Sequence, residues 1–233
     1  MKKTLIIILP AALLIIALTG YFTLNNSRQL ASYEKVTSAV DSSKINSAVK
    51  KSGEKKSCCS EDKEEEAVGE FTDNSVYQLG SSWSNELNNK ILLGDLKGHN
   101  VVLAMIFASC TYACPLIVND MRKVEAQMPE NEKTNVKFVL VSIDPERDSP
   151  KALFDYSRKQ NLDLSRWELL TGNKNDVRSL AALLGFKYKK NDNGDYVHSN
   201  LISVLNKEGE VVLQHEGLNK DVQDIVSRLK AIN

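Results

Sequence analysis

Cys110 and Cys114 are separated by three residues in Cys110-Thr111-Tyr112-Ala113-Cys114-Pro115. Two thiols at this spacing can hold a soft metal ion, cycle between dithiol and disulfide, or form a structural crosslink. A disulfide across so short a loop adds on the order of 2 kcal/mol or less, so crosslinking alone accounts poorly for the pair. Thiolate is the form that coordinates and attacks, and a helix N-terminus favours it. The apolar run Val101 to Phe107 precedes the pair, and Leu116 to Met128 reads as a helix. Pro115 fits a first helical position, where its missing N–H has no partner to lose. The thiols therefore stand at a strand-to-helix junction.

A metal site needs at least one further ligand, and the chain offers three histidines. His99 falls in a turn and His215 at the end of the last strand, and both read as surface residues. His198 opens an expected strand from Tyr196 to Leu205, which should run beside the central strand and bring the imidazole near the cysteine loop. Two thiolates and one imidazole form a soft, low-coordinate set that suits Cu(I). Zinc competes, although it usually takes a fourth ligand or a water. A thiol–disulfide reductase is the other candidate. Thioredoxin-type sites have two residues between the cysteines and a cis-proline in the facing loop. This chain has three between them, and its prolines are Pro10, Pro115, Pro129, Pro145 and Pro150. Peroxide chemistry wants a Thr or Ser and an Arg around one activated cysteine, which Arg122 does not supply.

Several elements must position these groups. Val101 to Phe107 is apolar without alternation, as in a strand covered on both faces. Val136 to Ile143 reads as a second strand and Trp167 to Leu170 as a third. Between them, Ser149 caps a helix from Pro150 to about Gln160. Asn173 or Asn175 caps another over Val177 to Leu184, ended by Gly185. Tyr196 to Leu205 and Glu210 to His215 read as a hairpin around Asn206-Lys207-Glu208-Gly209. Asp221 to Ile232 is an amphipathic helix with Val222, Ile225, Val226 and Leu229 on one face. The order β-α-β-α-β-α, then a hairpin, then a helix, predicts an α/β, thioredoxin-like domain over residues 71–233.

Two attachments precede that domain. Lys2 and Lys3 lead an uncharged stretch from Thr4 to Leu24, long enough to cross a bilayer. No small-x-small cleavage site follows, so residues 1–24 are expected to be an uncleaved membrane anchor. The lysines stay cytoplasmic and the rest lies on the extracytoplasmic, periplasmic side of the cell membrane. Residues 25–70 are rich in Ser, Lys and Glu and read as a flexible polar tether. They include Cys58-Cys59, beside an acidic run. With 30 basic and 30 acidic residues, no global field draws the chain to nucleic acid.

Taken together, these features resemble the Sco/SenC family of copper chaperones. The match rests on the anchor, Cys110-x-x-x-Cys114-Pro115 after an apolar strand, Val141-Ser142-Ile143-Asp144-Pro145-Glu146-Arg147-Asp148-Ser149-Pro150, and Tyr196-Val197-His198. The resemblance implies one copper ion bound by Cys110, Cys114 and His198. It also implies delivery of that ion to the copper A centre of cytochrome c oxidase subunit II, or reduction of the cysteines there, with Cys110 and Cys114 as the redox pair and a thiol reductant as a further partner. Asp144 and Asp148 fall in the family motif and are expected to serve in loop and helix capping. Thr111-Tyr112-Ala113 departs from the Pro-Asp often found between the family's cysteines.

Overall fold

The computed structural model describes residues 71–233. The anchor expected at 1–24, the tether at 25–70 and Cys58-Cys59 lie outside the described residues. Among the described residues no helix is long and apolar enough to cross a membrane.

Three parallel strands form the centre. They are β3 (Asn100–Ile106), β4 (Val136–Ser142) and β5 (Trp167–Thr171), following β1 (Ser82–Asn85) and β2 (Lys90–Leu92) in the chain. Every residue of β3 is buried, as its unbroken apolar run requires of a strand covered on both sides. β3 pairs in parallel with β4, and β4 with β5. Parallel neighbours need crossover connections, which are the helices α1 (Ala113–Gln127) and α2 (Pro150–Lys159). Ser149 caps α2 by accepting from the Ala152 N–H, with Pro150 in its first turn. α3 (Lys174–Leu183) is capped by Asn173 and ended at Gly185, whose φ of 63° suits glycine.

Beyond α3 come β6 (Tyr188–Lys190), β7 (Tyr196–His198), β8 (Leu201–Leu205), β9 (Val211–Glu216) and α4 (Gln223–Ile232). β8 runs antiparallel to β3, and β9 to β8, giving a seven-stranded sheet in the order β2-β1-β5-β4-β3-β8-β9. α1 packs on β3 and β8 and against α4, while α2 packs on β1 and β5. Phe138 and Trp167 stack at 4.9 Å between β4 and β5. This is the expected α/β, thioredoxin-like architecture.

The expected strand from Tyr196 to Leu205 is instead two strands. Ser199 and Asn200 interrupt it, and β7 pairs with β6 in a separate two-stranded ribbon. His198 therefore lies opposite Tyr188 on that ribbon, not beside β3. β6 is an element the sequence reading missed.

Candidate metal centre

β3 ends at Ile106, and a tight turn, closed by the Cys110 N–H on the Phe107 carbonyl at 3.1 Å, carries the chain to the first cysteine. α1 begins at Ala113, so Cys114 is its second residue and Pro115 its third. The helix thus starts two residues earlier than the proline signal implied. This places Cys114 in the first turn, where backbone N–H groups have no intrahelical acceptor. One of them, the Cys114 N–H, points at Cys110 Sγ at 3.4 Å.

The two sulfurs differ in exposure and charge. Cys114 is wholly buried and Cys110 is half-buried, and both are free thiols. A hydrogen bond from Cys114, together with backbone N–H groups of Cys114 and Tyr112 and against partial burial, holds Cys110 down to about 4. The same hydrogen bond, plus burial, pushes Cys114 well above the ordinary thiol range. Cys110 is therefore the thiolate and Cys114 keeps the proton.

His198 reaches the pair from the ribbon. Its Nε2 lies 3.8 Å from Cys114 Sγ, and its Nδ1 lies 2.8 Å from the Ser199 carbonyl oxygen. A carbonyl can only accept, so Nδ1 carries a proton and Nε2 is the ring nitrogen turned toward the sulfurs, free to act as a ligand in the neutral ring. Fixing the tautomer through the second ring nitrogen is how proteins orient a ligating histidine. Two rings hold the imidazole in place: Phe186 stacks on it at 5.8 Å and Phe107 meets it edge-on at 5.8 Å.

The Asp144-Pro145-Glu146-Arg147-Asp148 loop between β4 and α2 serves both halves of the site. Asp148, buried, accepts from the Ala108 N–H at 3.0 Å and the Ser142 hydroxyl at 2.6 Å. It thereby ties the start of the cysteine loop to the end of β4. Asp144, also buried, takes an ion pair from Arg147 and a hydrogen bond from the Tyr196 hydroxyl at 3.3 Å. Arg147 also donates to the Gly194 carbonyl at 2.8 Å. Gly194 and Tyr196 belong to the ribbon, so this latch docks the element that carries His198. The capping reading holds in part: the Asp144 carbonyl closes the loop by accepting from the Arg147 and Asp148 N–H groups, while the side chains of both aspartates reach further. Ser149 supplies the helix cap, and the two aspartates brace the ligand-bearing segments.

Cys110, Cys114 and His198 each offer a ligand atom, and these atoms all lie within 4.8 Å of one another. They are the one group of three or more such residues brought together among the described residues. His99 is not in it. Nor is His215, which is buried rather than on the surface, its Nδ1 bonded to Asp224 at 2.8 Å. Two sulfurs and a neutral imidazole nitrogen fit copper(I) by softness and low coordination number.

Fold and site together define a thioredoxin-like domain whose cysteine pair lies beside a histidine in a group able to hold a soft metal ion. The SCO1/SenC family model matches residues 76–233, and the chain belongs to that family. The SCO1 protein homolog of Bacillus subtilis (strain 168) is 28% identical over 154 residues, 64% of this chain and 79% of that protein. Among solved structures, a SCO1/SenC family lipoprotein from Bacillus anthracis str. Ames is similar, with a TM-score of 0.60 and 28% identity over 65% of this chain and 91% of that one. Arabidopsis thaliana ScoI, solved with copper bound, shares the fold with a TM-score of 0.58 and 23% identity over 65% of this chain and 95% of that one.

Proposed function

We propose that this chain is a membrane-anchored copper chaperone that binds one copper ion through Cys110, Cys114 and His198 and delivers it to the copper A centre of cytochrome c oxidase subunit II. The observation that carries this reading is the convergence of the three candidate ligand atoms, with Nδ1 of His198 engaged by the Ser199 carbonyl and Nε2 turned toward the sulfurs. Membership of the SCO1/SenC family and the copper-bound Arabidopsis relative support it. The partial exposure of Cys110 suits handover, because an incoming ligand can reach that sulfur while Cys114 and His198 still hold the ion. Residues 1–24 would anchor the chain in the cell membrane, with residues 25–70 as a tether and the copper-binding domain on the extracytoplasmic side.

The test is transfer. Two equivalents of Cu(I)-loaded protein mixed with the metal-free, reduced copper A domain of subunit II should, after one-electron oxidation by ferricyanide, build the copper A absorption bands, and Cys110→Ser protein should not. Absence of transfer from fully loaded wild-type protein would reject delivery.

A second reading, a thiol–disulfide reductase acting on the same copper A cysteines, is favoured by the unequal charge of the pair. The Cys110 thiolate would attack a partner disulfide and expel one partner thiolate, leaving a mixed disulfide. Cys114, deprotonated, would then attack Cys110 Sγ and release the second. Two electrons pass to the partner and a Cys110–Cys114 disulfide remains, to be reduced by an external thiol. The absence of cis peptide bonds among the described residues leaves this reading without the cis-proline of thioredoxin-type sites.

A further inference from the structure

A groove of about 570 Å³ lies between α3, the β4–α2 loop and the ribbon. Its volume falls within the range of clefts that hold ligands, but it is open to solvent along its length. Its floor and walls are apolar and aromatic, formed by Val177, Ala181, Phe186, Tyr188 and Tyr196. The charges around it are one-sided: Lys174, Arg178, Lys187, Lys189 and Lys190 against the single anion Glu146. Glu146 is held by Lys174 at 2.5 Å and Lys190 at 3.3 Å. Arg178, Lys187 and Lys189 are exposed and form no ion pair among the described residues. In a chain whose charges balance overall, this is a local excess of positive potential over an apolar trough.

The groove adjoins the metal centre. Phe186, which lines it, stacks on His198, and Tyr196, which also lines it, leans on Phe107 at 5.4 Å. A segment lying in the groove would touch Phe186, which stacks on His198, and Tyr196, which leans on the Phe107 ring that meets His198 edge-on.

We infer that this groove docks an extended, acidic polypeptide segment of the protein that exchanges copper with the centre, an apolar side chain of that segment lying among Phe186, Tyr188 and Tyr196 and its carboxylates facing Arg178, Lys187 and Lys189. Charge complementarity selects an acidic occupant. The open trough selects an extended chain over an enclosed small molecule. The reason for a partner to dock here rests on the copper-handover reading, whereas the test needs no metal.

The probe is a short fluorescein-labelled peptide with glutamates flanking a Leu-Phe pair, followed by anisotropy against the full-length chain. The control probe carries lysines in place of the glutamates. The wild-type chain should bind the acidic peptide and not the basic one. Paired charge reversal, Arg178→Glu with Lys189→Glu, should weaken binding by about tenfold and flatten its salt dependence. Ala182→Glu, at an exposed groove position on α3 where glutamate is a good helix former, should weaken it too. Lys230→Glu on α4, which packs on β9 and α1, should not. Lack of binding to the wild type, equal binding of the basic peptide, or an equal loss in Lys230→Glu would overturn the inference. Copper stoichiometry is measured on the same proteins. A chain that binds the peptide normally but takes up no copper would leave the groove standing and remove the copper reading alone.

Discussion

Cys110 and Cys114 share a proton unequally, and this has a direct chemical readout. The Cys110 thiolate is stabilised by donors around it and held down to about 4, so it is already charged at neutral pH. The ordinary thiol ionises near 8.5. Alkylation of the metal-free, reduced protein by iodoacetamide should therefore modify Cys110 first. Its rate should stay high down to mildly acidic pH and fall only as pH approaches about 4, while Cys114 stays protected by burial and by its raised pKa. Equal labelling of both cysteines, with a midpoint near 8.5, would contradict that charge distribution. At the same scale, His198→Ala removes the one nitrogen ligand of the group and should weaken copper binding roughly 10–100-fold or more. The three candidate ligands were named in the sequence from residue type, spacing and the family resemblance, and the fold brings their ligand atoms within 4.8 Å of one another. The rings that aim His198 were not, because Phe107 and Phe186 are apolar residues whose roles depend on what folds against them.

Two elements place the ligands, and they fail in different ways when cut. The ribbon of β6 and β7 is docked on the loop between β4 and α2, Tyr196 reaching the buried Asp144 and the partly exposed Arg147 reaching the Gly194 carbonyl. Arg147→Ala should leave the chain folded at a cost of about 1–3 kcal/mol, since it removes the cationic partner of the buried Asp144 carboxylate and leaves it the Tyr196 hydroxyl. It should nevertheless lower copper affinity roughly 10–100-fold by letting His198 move, as read by competition titration. An unchanged affinity would show that the ribbon docks without the latch. Asp148 works inside the core instead. Asp148→Asn weakens its acceptance from Ala108 and Ser142 and should cost about 1–3 kcal/mol of stability, measured by urea unfolding. An unchanged midpoint would contradict the bracing role. The Asp-Pro-Glu-Arg-Asp segment was visible in the sequence, but local rules assign its acids to turns and caps. Its actual partners are about 40 to 50 residues away in sequence, beyond what spacing can show. The ribbon did carry a signal, the turn residues Asn191-Asp192-Asn193-Gly194 between two short apolar-aromatic runs. β7 and β8 read as one strand in the sequence because the break at Ser199-Asn200 is only two residues long and has no glycine or proline to mark it.

At the scale of the molecule, the parallel centre of the sheet was readable because β3, β4 and β5 are apolar runs separated by capped helices. Its far edge was legible as well, Trp83-Ser84-Asn85 and the run Ile91 to Leu93 around a turn at Asn88-Asn89 corresponding to the antiparallel pair β1 and β2. The fold sets the division of labour at the site: β3 and α1 fix the sulfurs, and the ribbon, held by the loop after β4, brings the nitrogen. The measurement that tests this most directly is an anaerobic Cu(I) competition titration of the reduced protein. Cys58→Ser and Cys59→Ser are included so that all binding belongs to the domain, and His198→Ala and Cys114→Ser are run beside it. The expected result is one tight equivalent, weakened in His198→Ala and lost in Cys114→Ser. Binding of the same strength with and without His198 would contradict the three-ligand centre, leaving the cysteine pair to thiol–disulfide exchange.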